Sequence, residues 1–243
     1  MEKQHIRSIG NLYFDNNLIN GPGAIIAKDF CRQLTIETCK QAGSYIRAIN
    51  DNPFAYRERQ LVSLLAPAMS RFTDAFLTES PVKRNWSKLP KRFLDDSHGW
   101  VDYWCLYRNI SFLLELKHGY INAGSGKLRE KTLIDWDIAV DQLDVIREAA
   151  KDEAYYNRGA LLIALQILPI YKGGQSIVQV DDEKLTELHP ACINQMKSRS
   201  NRNCPNYSVL WQLHPDLVIE QEYTNSKEIY PGVLFLFYIS ELF

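Results

Sequence analysis

The sequence lacks the features that mark several large protein classes. Its five cysteines form no CxxC pair and have no regular spacing, which excludes a disulfide framework and a zinc ribbon. No apolar run is long enough to cross a bilayer, and the first residues lack the apolar stretch of a signal peptide. The HExxH and GxSxG motifs are also absent, which argues against a zinc protease and a serine hydrolase. We therefore expect a cytoplasmic protein without a membrane anchor.

The chain also has little excess charge, with a formal net charge of −1 over 243 residues. Its cations are nevertheless clustered, and such clusters permit phosphate binding, although a solvated surface is their commoner explanation. The clustered residues are Lys83, Arg84, Lys88, Lys91 and Arg92, then Lys127, Arg129 and Lys131, and finally Lys197, Arg199 and Arg202 in a polar loop.

Hydrophobic periodicity predicts a single α/β domain. After an initial loop we expect a helix over residues 24–49, and a second helix that starts near Asp51 and is kinked or split by Pro67. Further predicted strands cover residues 73–81, 99–108 and 110–120, followed by a helix over 128–151 and a buried strand or short buried helix over 159–171. The C-terminal third predicts a helix over 183–197 and strands over 208–213, 217–223 and 232–239.

Two adjacent strands carry the most informative charged residues. A tight turn at positions 108–109 places Asp102 directly opposite Glu115, with β-carbons about 4.5 to 5.5 Å apart. Two carboxylates at that distance repel each other. Lys117 lies on the same face, and a divalent cation between the carboxylates would turn repulsion into shared coordination.

Glu115 also interrupts SFLLELK, a run that is otherwise typical of an interior strand. A buried charge without compensation is costly, so the pattern predicts an acidic metal site that faces a cleft. A surface hairpin with a Glu-Lys pair and an unrelated Asp explains the same residues equally well.

These residues resemble the PD-(D/E)XK nuclease superfamily, which has the restriction-endonuclease-like fold. Members carry an Asp on one strand and, on the next, a Glu or Asp, one further residue and a Lys. Asp102 and Glu115-Leu116-Lys117 match this pattern, with Val101 where the strict motif has Pro. The core of the family, a helix, three strands, a second helix and another strand, has the order predicted for residues 54–171.

The resemblance implies a mixed central sheet flanked by helices. Residues 51–175 would form the nuclease-like core, with 1–50 as an N-terminal extension that adds a helix and 176–243 as a C-terminal elaboration, all in one domain over residues 1–243. The C-terminal third would provide specificity, an oligomer interface or a surface for a protein partner. A homodimer is a family expectation, because two strands of a duplex require two sites.

The resemblance also implies a mechanism. Asp102, Glu115 and the backbone oxygen of Leu116 would hold Mg²⁺ or Mn²⁺, and Lys117 would orient or deprotonate a water or stabilise the pentavalent phosphorus. The first helix of the family often adds an acidic residue, for which Glu58 qualifies because it shares a face with apolar residues. Pairing of Glu58 with a neighbouring arginine or with water fits its position as well.

Several other residues are candidates for substrate binding. Gln142 lies on the apolar face of the long helix, where some family branches place a Gln followed four residues later by Tyr; here that later position is Ile146. His98 and His118 flank the proposed site, although partly exposed strand-end histidines are commoner. Trp100, Trp104 and Trp136 could stack on bases, although tryptophans within strands are more often core residues. The loop NAGSGKL fails the phosphate-loop pattern because Leu128 follows Lys127.

The sequence thus leads us to expect a Mg²⁺- or Mn²⁺-dependent nuclease acting on DNA. Lys83, Arg84, Lys127, Arg129, His118 and Gln142 are the expected substrate-binding residues. Two alternatives stay open: a non-catalytic interaction or nucleic-acid-binding protein that retains the fold, and an enzyme that cleaves RNA.

Overall fold

The computed structural model describes residues 1–15, 19–21, 23–82, 99–150, 159–174, 181–224 and 226–241. In these residues ten strands form one mixed sheet, which four α-helices flank. The strands are β1 (Glu2–Ile6), β2 (Gly10–Asp15), β3 (Ala75–Val82), β4 (Gly99–Tyr107), β5 (Ile110–His118), β6 (Ile121–Asn122), β7 (Ala160–Gly174), β8 (Tyr207–Leu213), β9 (Glu220–Tyr223) and β10 (Ser226–Glu241). The helices are α1 (Ala24–Ile49), α2 (Val62–Met69), α3 (Glu130–Ala150) and α4 (Asp182–Arg199).

The strands are ordered β1-β2-β8-β10-β7-β5-β4-β3 across the sheet, with β6 beside β7 and β9 beside β10. Strands β3, β4 and β5 form an antiparallel meander, and β5 then lies parallel to β7. Parallel neighbours need a long crossover connection, which α3 provides. The prediction of an α/β fold with a mixed sheet flanked by helices is therefore confirmed.

Both faces of the sheet are covered by helices. Helices α1 and α2 pack on one face, and α3 and α4 pack on the other. Strand β7 contributes Ile163 and Leu165 to the first face, and Leu162 and Leu168 to the second. Burial on both sides explains why its apolar run is nearly continuous, and why this segment is a strand and not the alternative short helix.

The N-terminal residues form a hairpin, and the prediction of an initial loop is wrong. Strand β2 pairs with β8, where Leu12 lies next to Trp211. Leu12 and Phe14 are buried while Tyr13 between them is half-buried, as expected for alternating side chains of a strand. The partner strand β8 is distant in the chain, so no local sequence pattern could predict the pairing.

The predicted second helix is mostly replaced by two 3₁₀ turns, Pro53–Ala55 and Glu58–Leu61, before the short α2. The break falls at Tyr56 and Arg57, which have extended backbone conformations. Pro67, the predicted breaking point, lies inside α2 near its end.

Local hydrogen bonds explain this break. The Asn52 side chain accepts from the Phe54 amide at 2.9 Å and caps the first turn. The Tyr120 hydroxyl donates to the carbonyl oxygens of Ala55 and Tyr56, at 3.1 and 3.0 Å. Both carbonyl oxygens are thus bonded to a residue that follows β5, and this contact holds the chain in the bend that leads to Glu58.

Two smaller predictions also need correction. The strand predicted over 217–223 is shortened to β9, because the 3₁₀ turn Pro215–Leu217 precedes it. Lys197 and Arg199 belong to α4 and not to a polar loop. Within the described residues, no helix combines the length and apolar character needed to cross a membrane.

Candidate active site

The candidate site lies where the backbone pairing of β4 and β5 ends. Both residues of the turn at 108–109 have positive φ, as a two-residue hairpin turn requires, and the resulting register is the predicted one. The last backbone pair in this direction is Tyr103 with Leu114. One residue further, Asp102 Oδ2 accepts a hydrogen bond from the Leu116 amide at 2.6 Å. This carboxylate therefore binds an amide at the point where the two strands separate.

Strand β3 is irregular at the same level of the sheet. Its pairing with β4 includes Thr78 with Tyr103 and Ser80 with Val101, but skips Glu79 between them. Glu79 has a left-handed backbone conformation with φ of 51°, which costs about 1 kcal/mol for a residue with a β-carbon. Backbone strain of this kind often occurs at functional sites.

A cavity of about 430 Å³ borders these irregularities. Its lining residues carry three carboxylates, one guanidinium group and two hydroxyl groups, which are metal-binding oxygens and hydrogen-bond donors. The lining residues are Glu58, Arg59, Val62, Thr78, Glu79, Asp102, Tyr103 and Leu116.

Glu58 enters the cavity from the 3₁₀ turn before α2. Its Oε2 accepts a hydrogen bond from the His118 amide at 3.0 Å, which ties the turn to the end of β5. Burial raises the pKa of Glu58, the charge of Lys117 opposes that shift, and the negative charge of Asp102 adds to it. The two carboxylates are thus close enough to repel each other, and a divalent cation would relieve this repulsion.

Lys117 lies beside the cavity with its side chain only 18 % exposed. Its Nζ donates to the Leu116 carbonyl oxygen at 2.8 Å and lies 3.9 Å from Glu58 Oε1. The structure therefore brings Lys117, Glu58 and Asp102 together at the end of β5.

Glu115 has a different environment from the one expected. It is 2 % exposed and lies next to Ala164 in the parallel pairing of β5 with β7. The cavity is lined by described residues that do not include it. Its neighbour Leu116 lies on the cavity wall.

The oxygen atoms at this site fit one mode of magnesium binding, in which the protein supplies only some of the ligands. In the described part of the chain, no three His, Cys, Asp or Glu side chains come close enough to hold a metal ion together. Mg²⁺, however, is usually bound by one or two carboxylates and completed by waters and substrate phosphates. Glu58 and Asp102 supply two carboxylates in one cavity, with Leu116 on the same wall. These residues fit Mg²⁺ held in part by substrate, and do not fit a cage built from protein side chains alone.

His118 is an uncharged group at this site. Burial lowers its pKa to about 4, while a hydrogen bond from the ring to the Phe54 backbone acts in the opposite direction. The ring also contacts Tyr120 edge to face, with centroids 4.8 Å apart. A neutral, buried imidazole fixes the end of β5 against the preceding turn and brings no positive charge to a phosphate.

The other expected substrate-binding residues lie away from the cavity lining. Gln142 is in α3, and its side-chain oxygen is buried with no hydrogen-bond partner among the described residues. Arg129 donates to the Tyr171 hydroxyl at 3.2 Å, and Lys127 is an exposed residue of the loop before α3. Trp136 is buried and donates to the Asn203 carbonyl oxygen, so it is a core residue.

The predicted basic clusters differ in what the structure shows of them. Lys83, Arg84 and the rest of the cluster up to Arg92 lie outside the described residues, as does His98. Arg199 forms ion pairs with Glu130 and Asp137, and Arg202 pairs with Asp144. Phosphate binding by these two arginines would require breaking those pairs.

The lining residues that had no part in the sequence-based prediction are Arg59, Val62, Thr78, Glu79 and Tyr103. Tyr103 follows Asp102 in the chain, and strict strand alternation places it on the opposite face. The conformation of Glu79 has no sequence signature. Arg59 neighbours Glu58, and only the 3₁₀ turn shows that both reach the same cavity.

Comparisons with known proteins provide no relative for this chain. No protein-family model matches it, no curated protein matches its sequence, and no solved structure matches its fold.

Proposed function

We propose that the protein is a metal-dependent nuclease that hydrolyses DNA phosphodiester bonds on a restriction-endonuclease-like core. The observation that carries this proposal is the cavity in which Asp102 and Glu58 meet beside the ammonium group of Lys117. Apart from the two-residue strand β6 before α3, the chain order is α2-β3-β4-β5-α3-β7. This order supports the proposal, because the superfamily core is a helix, three strands, a second helix and another strand.

The two carboxylates are held in position by backbone amides. The Leu116 amide fixes Asp102 at Oδ2, and the His118 amide fixes Glu58 at Oε2. These bonds orient the two carboxylates before any ligand binds, and such preorganisation is what a catalytic centre requires. In this proposal Glu58 takes the position expected for Glu115, because Glu58 lines the cavity.

Bound Mg²⁺ or Mn²⁺ would supply Lewis acidity and lower the pKa of a water. Lys117 would act as a hydrogen-bond donor to the oxygen on which negative charge develops. Its contacts with Leu116 and Glu58 hold the ammonium group beside the carboxylates without pairing it tightly to either, since the nearest Glu58 oxygen is 3.9 Å away. A preorganised cation of this kind typically contributes about 100- to 1000-fold to a rate.

A non-catalytic protein that retains this core is the second candidate. Two observations favour it: Glu115 does not line the cavity, and Lys117 donates to the Leu116 carbonyl oxygen that was expected to face the metal. Activity measurements separate the two functions.

The test is cleavage of supercoiled plasmid by purified protein in Mg²⁺, in Mn²⁺ and in EDTA, with single-stranded RNA as a parallel substrate. We expect DNA cleavage only with the metals, reduced by at least about 100-fold in Asp102→Asn and Lys117→Ala. Lys131→Ala is the matched control, because Lys131 is 82 % exposed on α3 and pairs only with Asp135 among the described residues. Faster hydrolysis of RNA would make the enzyme a ribonuclease. Absence of hydrolysis of either substrate would favour the non-catalytic candidate.

A further inference from the structure

Tyr103 has a buried hydroxyl group at the edge of the cavity. The residue is 1 % exposed, and its hydroxyl oxygen has no hydrogen-bond partner among the described residues. Tyr107, on the same strand and in the same core cluster, is different: its hydroxyl donates to Asp29 Oδ2 at 2.6 Å. Among the described residues, Tyr103 therefore lacks a partner of the kind that Asp29 of α1 provides to Tyr107.

Buried hydroxyl groups without a partner are rare in native structures, and each needs a specific explanation such as a bound ligand. Tyr103 lines the cavity that contains Asp102 and Glu58. Burial, Asp102 and Glu58 all raise the pKa of the phenol, which therefore stays protonated. A protonated phenol is a hydrogen-bond donor, and Tyr103 places it in the wall of this cavity.

Arg59 provides a positive charge to the same cavity. It is exposed, and no described residue forms an ion pair with it. A guanidinium group matches phosphate oxygens in two parallel hydrogen bonds. The adjacent Arg57 is also exposed but does not line the cavity, which makes it a natural control.

We propose that the Tyr103 hydroxyl and the Arg59 guanidinium form the phosphate-binding part of this cavity. The inference rests on the proposed function for the identity of the substrate, a DNA phosphodiester, while the site itself is defined by phosphate chemistry. The carboxylates repel a phosphate, and these two donors offset that repulsion within the same cavity.

The first test is Tyr103→Phe, with Tyr107→Phe as the matched control. Removal of an unpaired hydroxyl leaves the melting temperature unchanged or higher, whereas a hydroxyl that binds phosphate is needed for turnover. We expect kcat/KM for plasmid cleavage to fall about 10- to 100-fold in Tyr103→Phe and to stay unchanged in Tyr107→Phe. A lower melting temperature for Tyr103→Phe together with normal cleavage would assign the hydroxyl to the fold and overturn the proposal.

The second test measures binding without catalysis. Inorganic phosphate with Mg²⁺ should raise the melting temperature of the wild-type chain, and Tyr103→Phe and Arg59→Ala should each weaken apparent phosphate affinity about tenfold. Arg57→Ala should bind phosphate as the wild type does. Equal phosphate binding by Arg59→Ala and Arg57→Ala would contradict the role of Arg59.

The two tests separate this inference from the proposed function. Phosphate binding that depends on Tyr103 and Arg59, in a chain that cleaves no DNA, supports the inference and contradicts the nuclease. Normal cleavage and normal phosphate binding by Tyr103→Phe support the nuclease and overturn the inference. A chain that neither cleaves DNA nor binds phosphate contradicts both.

Discussion

The two ends of the β4–β5 hairpin differ in how their polar groups are paired. At the turn end, Asp29 from α1 accepts from the Tyr107 hydroxyl at 2.6 Å and pairs with Arg108 at 2.8 Å. The rings of Phe30 and Phe112 stack beneath them with centroids 4.0 Å apart. At this end the charged groups and the hydroxyl group have partners, and the aromatic rings are packed. This arrangement is expected of residues that stabilise the fold.

At the open end, the same hairpin holds charges in looser contact. Lys117 Nζ is 3.9 Å from Glu58, the Tyr103 hydroxyl has no partner among the described residues, and the pKa of Glu58 is raised. Natural proteins tolerate such incompletely paired groups where function requires them. The proposed function accounts for this difference, because a binding site needs polar groups that are not already fully paired within the fold.

The largest expected effect on stability comes from His118 at the open end. Its pKa is about 4 in the folded chain against an ordinary 6.5, so the folded state binds this proton less tightly than the unfolded state. The stabilisation is complete above pH 6.5 and is lost as the pH falls towards 4, by about 2 to 3 kcal/mol. Chemical denaturation at a series of pH values measures this loss.

The His118→Asn variant isolates that contribution, because it cannot titrate in this range. Its stability should fall less than that of the wild type between pH 6.5 and 4, whereas His5→Asn, at an exposed position, should follow the wild type. Parallel pH profiles for the wild type and His118→Asn would show that the imidazole is not held neutral by burial.

A smaller effect is expected at the turn end. Tyr107→Phe removes a hydrogen bond to a carboxylate and should destabilise the fold by about 1.5 kcal/mol, equivalent to a melting temperature lower by about 3 to 6 °C. Tyr103→Phe should cause no loss. Equal destabilisation by both substitutions, measured by thermal unfolding, would remove the difference between the two ends.

The smallest effect is expected for Glu58→Gln. The pKa of Glu58 is raised, which means that the folded state binds the carboxyl proton more tightly than the unfolded state does. Protonation of Glu58 therefore stabilises the fold at acid pH, and this contribution is lost as the pH rises through the folded pKa. Gln is neutral at every pH. The variant should therefore melt at an equal or higher temperature at pH 7, by no more than about 2 °C because Glu58 is half-exposed and screened by solvent. A lower melting temperature at pH 7 that disappears at pH 4 would show that the ionised carboxylate stabilises the fold.

Most of the central elements could be predicted from the sequence because their signals are local. The turn at 108–109 set the register of β4 and β5, and apolar periodicity located α1 and α3 within a few residues. The N-terminal hairpin could not be predicted, because its partner β8 is distant in the chain.

The site was predicted in part. The placement of Asp102 near the Glu-Leu-Lys segment followed from the register, and Glu58 near Lys117 followed from the resemblance. Glu115 was expected to face the same space as Asp102; it is buried and is not among the described residues that line the cavity. The irregular Glu79 and the bend before Glu58 arise from tertiary contacts, which hydrophobic periodicity does not encode.

The proposed function requires the open end of the hairpin to be a metal-dependent phosphodiesterase centre. A Mg²⁺ titration of plasmid cleavage by the wild-type chain, starting from EDTA-treated protein, measures this requirement. We predict no cleavage without metal and a rate that rises to saturation with Mg²⁺. Cleavage that is equal with and without EDTA, or none at any Mg²⁺ concentration, would contradict the account.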